Sequence, residues 1–525
     1  MQEIEDRVTE LHVISVCSMT PCSIIFTKSS IKFALTLPIS TIQKERMIDK
    51  IKKLEKISTQ LELKPEKRKK WNQSVISYID RFLDDFNPNT TFQVSEDMGK
   101  GILDIAIEEE GKPMEEILIA LKEHVDRPNL NPASPGHLAY IPGGGVYTTA
   151  LADYMAAATN RFSGVFYACP GAVRMENHLI RWMCKMVGYP DTALGNLSSG
   201  GSIANLSAIS TARDVKGIKA RDVENCVIYL TDQVHHCVQK ALRIAGMREA
   251  IIRYIPMDAT YKMKPSFLEQ QIVADKKEGL RPFLVVGSAG TTNTGTVDPL
   301  DQIGLLAKMH DMWFHVDAAY GGFFMLSPEM KPLFKGIEQS DSIAIDPHKG
   351  LFLSYGIGAL LIKNVKALYQ THQYSASYLQ DQIDVEEDPS PADLSPELTR
   401  HFRGLRMWLS LQLMGISPFR AAIEEKVYLC RYFYDKIQDL GFEVGPYPDL
   451  SVAIFRYVPK DGNPTKFNDQ IVEYIKQDGR IFFSSTTIDG VYWIRFAVFS
   501  FRTHLTHVDL ALSLLKEIIA NATKS

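Results

Sequence analysis

Between Cys226 and Ile362, short runs of β-favouring apolar residues alternate with stretches of helical spacing. The strand-like runs are Cys226–Thr231, Ile251–Ile255, Phe283–Ser288, Trp313–Val316, Ile343–Ile345 and Ile357–Ile362; Ser202–Asp214 and Leu300–His310 have helical spacing. A continuously apolar strand has to be covered on both faces, and strands joined through helices run the same way. The pattern therefore predicts an α/β fold with a large, mostly parallel sheet between helical layers. Such sheets bind ligands beyond the carboxyl ends of their strands. Chemistry is expected in the residues that directly follow each run.

The chain has 525 residues, and single cores stop growing near ~250–300, so more than one core is expected. Residues 1–46 read as an extension of unknown purpose. Residues 47–146 are helical and charged as far as His124, with Val75, Ile76, Ile79, Phe82, Leu83 and Phe86 at three- and four-residue spacing, then broken by Pro128, Pro132 and Pro135. They form an N-terminal arm suited to packing or dimerisation. Residues 147–408 make the large domain. Residues 409–525 make a smaller α/β domain, with strands at Val452–Tyr457 and Val491–Val498 and a last helix over His507–Ala520. The polar, proline-bearing stretch Thr371–Glu397 reads as a long loop of the kind that serves as a lid.

Charge excludes some partners. With 58 basic against 62 acidic residues and a net charge of −4, nothing points to nucleic acid. The apolar runs near the N-terminus are too short and interrupted to span a membrane, and Glu3, Glu5 and Asp6 do not suit a signal peptide. The seven cysteines are odd in number and scattered. They read as reduced thiols of a cytoplasmic protein.

Four short motifs could carry chemistry. Ser198–Ser199–Gly200–Gly201–Ser202 opens a helical run. It is either a plain turn or a phosphate cradle, because glycines admit close approach and a helix start offers free N–H groups. In His315–Val316–Asp317–Ala318–Ala319, a strand ends in a carboxylate followed by small residues. Asp317 could cap the next helix, or it could keep a pyridine nitrogen protonated beside a flat ring. In Asp346–Pro347–His348–Lys349–Gly350, one strand–helix–strand step further on, a strand delivers a lysine. Such a lysine is ordinarily solvated, but when desolvated or beside another cation it has a lowered pKa and forms Schiff bases. Finally, Asp232–Gln233–Val234–His235–His236 follows a strand. Two adjacent histidines on extended backbone point to opposite sides. No third ligand suggests a metal, so a flat-lying or proton-donating His235 is the functional reading and a structural His236 the plain one.

Together DQVHH, SSGGS, HVDAAYGG and DPHKG resemble the group II pyridoxal-phosphate (PLP) decarboxylases, which include aromatic amino acid and glutamate decarboxylases. The resemblance runs from about Pro135 to Thr503. It implies the fold type I, aspartate aminotransferase-like architecture, with a sheet of the seven-stranded type, and a homodimer with active sites at the interface. It implies PLP held by Lys349 as a Schiff base, with Asp317 at the pyridine nitrogen and His235 stacked on the ring. Ala319 would lie near the ring, Gly201 and Ser202 at the phosphate with His348 nearby, and Thr292 beside the cofactor. Asp298 would support the Thr292 loop, and Arg403 would be structural. Tyr378, in SASYLQD, matches the loop tyrosine that protonates the product carbon. Phe there would favour oxidative aldehyde formation.

The implied reaction is decarboxylation of an L-amino acid to its amine, with an aromatic substrate favoured. Decarboxylation of an acidic amino acid, transamination and aldehyde synthesis are the alternatives. Tyr140, Pro142, Gly143, Phe162 and Arg161 would line the substrate side. Here Gly143–Gly144–Gly145 departs from the family's usual residue after the proline, and Arg161 could read an acidic side chain or sit in a surface salt bridge.

Overall fold

The computed structural model describes residues 41–84, 91–373 and 388–522. They fall into two compact units, divided between Ser77 and Tyr78. The first holds helix α1 (Thr41–Ser58) and the beginning of α2 (Pro65–Asp84). On α1, Met47, Ile51 and Leu54 recur at helical spacing, and all three are exposed.

The second unit contains a seven-stranded sheet: β1 (Leu194–Ser198), β2 (Cys226–Leu230), β3 (Ile251–Tyr254), β4 (Arg281–Ser288), β5 (Trp313–Asp317), β6 (Ser342–Ile345) and β7 (Gly358–Ile362). The spatial order is β1-β7-β6-β5-β4-β2-β3. The pairs β2–β3, β2–β4, β4–β5 and β5–β6 are parallel, and β7 runs antiparallel to both its neighbours. The mostly parallel sheet expected from the apolar runs is present. β1 was not expected, because its sequence Leu-Gly-Asn-Leu-Ser shows neither alternation nor a continuous apolar run. Its glycine has a steric reason: a Cβ on Gly195 would stand 1.8 Å from the Leu360 carbonyl oxygen on β7.

The helices that matter for the site are α3 (Tyr147–Thr159), α4 (Pro170–Met186), α5 (Gly201–Val215) and α6 (Cys237–Ile244). They are followed by α7 (Leu300–Met309), α8 (Gly404–Met414) and the long α9 (Ser417–Asp439). β8 (Glu443–Val444), β9 (Val452–Arg456), β10 (Ser484–Ile488) and β11 (Val491–Ala497) form a second, antiparallel sheet in the order β8-β9-β11-β10. Helix α9 joins the two cores. Its Phe419, Ile423 and Val427 lie in the large core, whereas Phe433 and Ile437 lie in the small one. Burying each such side chain stabilises by about 1.5–3 kcal/mol, so the helix has strong reason to remain seated in both cores. Among the described residues, no helix is long and apolar enough to cross a membrane.

The segment from Asp388 to Arg403 is firmly tied. Asp388 pairs with Arg174 at 3.0 Å and Arg181 at 3.3 Å, both on α4. Buried Arg400 meets buried Glu176 at 2.9 Å, and the same carboxylate accepts the Leu197 N–H at 2.9 Å. Arg403 grips Glu397 through both its terminal nitrogens, at 2.7 and 2.8 Å, the structural role its motif suggested.

Candidate active site

A cavity of about 440 Å³ opens beyond the carboxyl ends of β2, β4, β5 and β6, and each of the four motifs contributes to its lining. The turn after β1 supplies Ser199, Gly200, Gly201 and Ser202. Gly200 sits at φ +153°, where side chains are disfavoured. The Ile203 and Ala204 amides turn back to the Gly200 carbonyl. Among the described residues, the amides of Gly201 and Ser202 bond no other group, so the open end of α5 faces the cavity.

Asp317 ends β5. Its Oδ1 accepts the Ala319 N–H at 3.1 Å, and its Oδ2 lies 3.5 Å from the Asn205 amide nitrogen. Lys349 is delivered by the short helical turn after β6, with its Nζ 3.1 Å from Asp346 Oδ2. Its pKa departs from the expectation of a lowered value. Burial pulls it down, but the carboxylates of Asp346 and Asp317 outweigh burial and hold it above the ordinary lysine value. Asp346 is itself 1% exposed, and its Oδ1 has no hydrogen-bond partner.

The two histidines do not lie on extended backbone. The chain turns into α6 at His236, and the two rings approach to 4.1 Å between centroids at 40°. His235 lines the cavity. The Cys237 N–H donates to its Nδ1 at 3.3 Å, which places the remaining proton of the neutral ring on Nε2. Burial foremost lowers its pKa, against the opposing pull of Asp317. His348 also lines the cavity and donates from Nδ1 to the Ile357 carbonyl at 2.6 Å; burial lowers its pKa as well.

The Thr291–Thr294 turn presents Thr292 to the cavity. Arg495 of β11 grips it from behind, bonding the carbonyls of Thr292 and Asn293. Asp298 props the base of this loop. One of its oxygens accepts the Met263 N–H and the other the Ser288 N–H, both at 2.8 Å, and burial raises its pKa to about 6. Asp298→Asn turns one of these two acceptors into a donor facing another donor. It should lower unfolding stability by about 1–3 kcal/mol, measured by denaturant melts at neutral pH; an unchanged midpoint would remove Asp298 as the prop.

Lys349, Asp317, His235, His348, Ala319, Thr292, Gly201 and Ser202 all line this one cavity. The residues expected on the substrate side do not. Tyr140 is 52% exposed and holds φ +53°, a costly conformation for a non-glycine residue. Gly143 has a steric reason: a Cβ there would stand 2.3 Å from the His348 carbonyl oxygen. Gly143 thus packs directly on the backbone that carries Lys349. Arg161 is exposed and Phe162 half-buried, beyond the end of α3, and neither lines the cavity. Tyr378 lies outside the described residues. The motifs did not single out Asp346, Cys237 or Tyr355 as lining residues. Asp346 stood within a quoted motif and carried a signal, a carboxylate three positions before the lysine.

A lysine, a strand-end carboxylate and an open helix N-terminus meeting at the carboxyl edge of a mostly parallel sheet define a fold type I, PLP-dependent enzyme. Residues 97–458 match the pyridoxal-dependent decarboxylase conserved domain, and the chain belongs to that family, the PLP-dependent carboxy-lyases. It is 34% identical over 437 residues to the aromatic-L-amino-acid decarboxylase of Bacillus atrophaeus, covering 81% of this chain and 90% of the relative. It is 31% identical to tryptophan decarboxylase 2 of Oryza sativa subsp. japonica, over 73% and 80% of the two chains. The crystal structure of Oryza sativa TDC with PLP and tryptamine superposes with a TM-score of 0.82 at 25% identity, over 88% of this chain and 99% of that one.

The residues present fit the cofactor. Open amides at a helix N-terminus suit a phosphate, a carboxylate suits a protonated ring nitrogen, and a primary amine suits the aldehyde. Gly201 leaves the floor bare: a Cβ there would stand 3.1 Å from Asp346 Oδ2 and 3.2 Å from the Ala319 Cβ.

Proposed function

We propose that this chain removes CO₂ from an aromatic L-amino acid to give the corresponding amine. The observation that carries the reading is the convergence of Lys349, Asp317, His235 and the Gly201–Ser202 amides on one cavity. PLP, when bound, supplies an electron sink for the pair left behind by the departing carboxylate. The protein's residues do the rest. Lys349 Nζ would hold the cofactor covalently, and Gly201 and Ser202 would hold the phosphate with His348 alongside. Asp317 would hold the ring nitrogen's proton, Ala319 and Thr292 would pack beside the ring, and the His235 imidazole would cover its face and exclude water from it. Tyr378, assigned from its motif, delivers a proton from its hydroxyl to the substrate Cα.

An aromatic substrate is supported by the charges. Among the described lining residues, Lys349 is the sole ammonium or guanidinium, and it already faces two carboxylates. Arg161, the cation considered for an acidic side chain, stands exposed and away from that lining. The names of the relatives point the same way. The chain acts as a homodimer in this reading. Support comes from the exposed apolar residues Tyr147, Leu151 and Met155 of α3, which follow the Gly143–Gly145 run, with Tyr167 beyond the helix. Scattered, odd-numbered cysteines support a reducing cytoplasm.

A screen of the amino acids for CO₂ release with PLP added tests the reading. Tyrosine, tryptophan, phenylalanine or their hydroxylated forms should be turned over at least tenfold faster than glutamate or aspartate, and Arg161→Ala should leave that ratio unchanged. Preferential release from acidic substrates, lost on Arg161→Ala, would overturn it.

A further inference from the structure

Behind Asp317 lies a buried set of polar side chains that cofactor contacts do not account for. Asn205 on α5, His315 on β5 and Ser342 on β6 are each 0% exposed, and Trp313 is 4% exposed. Their hydrogen bonds can be assigned in one direction only. The Gly201 carbonyl can only accept, so the Asn205 atom 2.9 Å from it is the amide nitrogen, and Oδ1 faces the other way. Oδ1 then accepts from His315 Nε2 at 2.6 Å, so that ring nitrogen carries the proton. Burial pulls the His315 pKa down to about 4, so the ring is neutral and its Nδ1 accepts. Ser342 Oγ donates to it at 2.8 Å and accepts from Trp313 Nε1 at 2.9 Å. Every donor points from Trp313 towards Asn205. The last N–H is directed at Asp317 Oδ2 at 3.5 Å, with the Cys237 sulfur also 3.5 Å from the same nitrogen.

We propose that Asn205 and His315 are positioning residues that keep Asp317 an acceptor-only carboxylate, by fixing which end of the Asn205 amide faces it. The inference rests on Asp317 being the partner of the cofactor's ring nitrogen. The amide has two nearly isosteric ends. With NH₂ towards Asp317 it stabilises the anion. With oxygen towards Asp317 it would repel the anion and favour a protonated carboxyl, which cannot hold the ring nitrogen's proton. The neutral His315, donating from Nε2, makes the second orientation unfavourable, because the Asn205 nitrogen would then face another donor. The same amide bonds the Gly201 carbonyl, so the phosphate end and the ring-nitrogen end of the cavity share one rigid fixture. Chains of aligned donors of this kind polarise one another.

The test uses the cofactor-free protein, PLP labelled with ¹⁵N in the ring, and two readouts: PLP affinity and the ring-nitrogen chemical shift. His315→Phe should weaken PLP binding about 10–100-fold, the range seen when the outer partners of metal-site ligands are removed, and should move the shift towards the unprotonated value. His315→Gln should restore both, since its amide can donate to Asn205 Oδ1 and accept from Ser342. Asn205→Asp, equal in shape, should mimic His315→Phe and covers the case in which that variant does not fold. Wild-type values in His315→Phe or Asn205→Asp, or equal losses in Phe and Gln, would overturn the proposal. Asp317→Asn separates the two readings. If it moves the shift while His315→Phe and Asn205→Asp do not, only this inference fails; if it too leaves the shift unmoved, the role of Asp317 fails with it.

Discussion

Lys349→Ala should abolish the borohydride-trappable link between protein and PLP and lower amine formation by at least about 10³-fold, the scale of losing a nucleophile whose covalent bond organises the reaction. The site explains why no neighbour can stand in. Among the described lining residues, no second amine is available, and the Lys349 nitrogen is aimed between Asp346 at 3.1 Å and the Asp317 side of the cavity. Those carboxylates also set a pH dependence for loading. Burial alone would favour the free amine, but Asp346 and Asp317 prevail and the lysine titrates above its ordinary value. In the cofactor-free protein it is therefore an ammonium at neutral pH, and only the deprotonated fraction can attack an aldehyde. That fraction grows about tenfold per pH unit below the pKa, so capture of PLP should accelerate as pH rises. Asp346→Asn should shift the acceleration to lower pH. A trapped adduct in Lys349→Ala, or a capture rate flat in pH, would refute this account.

The sheet was legible because six of its strands are rich in β-favouring apolar residues, and their ends located the site. Lys349, Asp317 and His235 could be named because each follows such a run. Four features stayed hidden for physical reasons. β1 carries glycine and asparagine where a strand pattern needs apolar residues, and these are explained by the close approach of Gly195 to the Leu360 carbonyl and by the bond from the Asn196 amide to the Leu394 carbonyl. Asn205 and His315 sit within a helix and a strand, where sequence gives no sign that they meet; their 2.6 Å bond depends on how α5 packs against the sheet. The raised pKa of Lys349 depends on Asp346, whose position in the same turn is plain in sequence but whose side-chain direction is not. The turn at His236 likewise brings together two rings that extended backbone would have parted.

Tyr378→Phe should divide the outcome of the reaction rather than stop it. The variant keeps the residues that line the cavity and so should still release CO₂. What it loses is the hydroxyl proton for Cα, a general-acid contribution of about 10²–10⁴-fold. Amine yield should fall within that range. The electron pair left at Cα then becomes available to dissolved O₂. Amino acid, O₂ and water would give aldehyde, CO₂, ammonia and hydrogen peroxide, with the Cα–N bond oxidised and cleaved and O₂ reduced by two electrons. Oxygen uptake and peroxide should rise as amine falls, in about equal amounts with the aldehyde. Tyr378 lies within Thr371–Glu397, and the far end of that stretch is fixed by the pairs of Asp388 with Arg174 and Arg181 and by the Glu397–Arg403 grip. Loosening that anchor through Asp388→Asn should therefore lower amine yield in the same direction as Tyr378→Phe but to a smaller degree, with peroxide appearing beside residual amine. Unchanged amine yield in Tyr378→Phe would remove this tyrosine from the proton step. Peroxide from the wild-type chain at the rate of CO₂ release would make aldehyde synthesis, rather than amine formation, its native reaction.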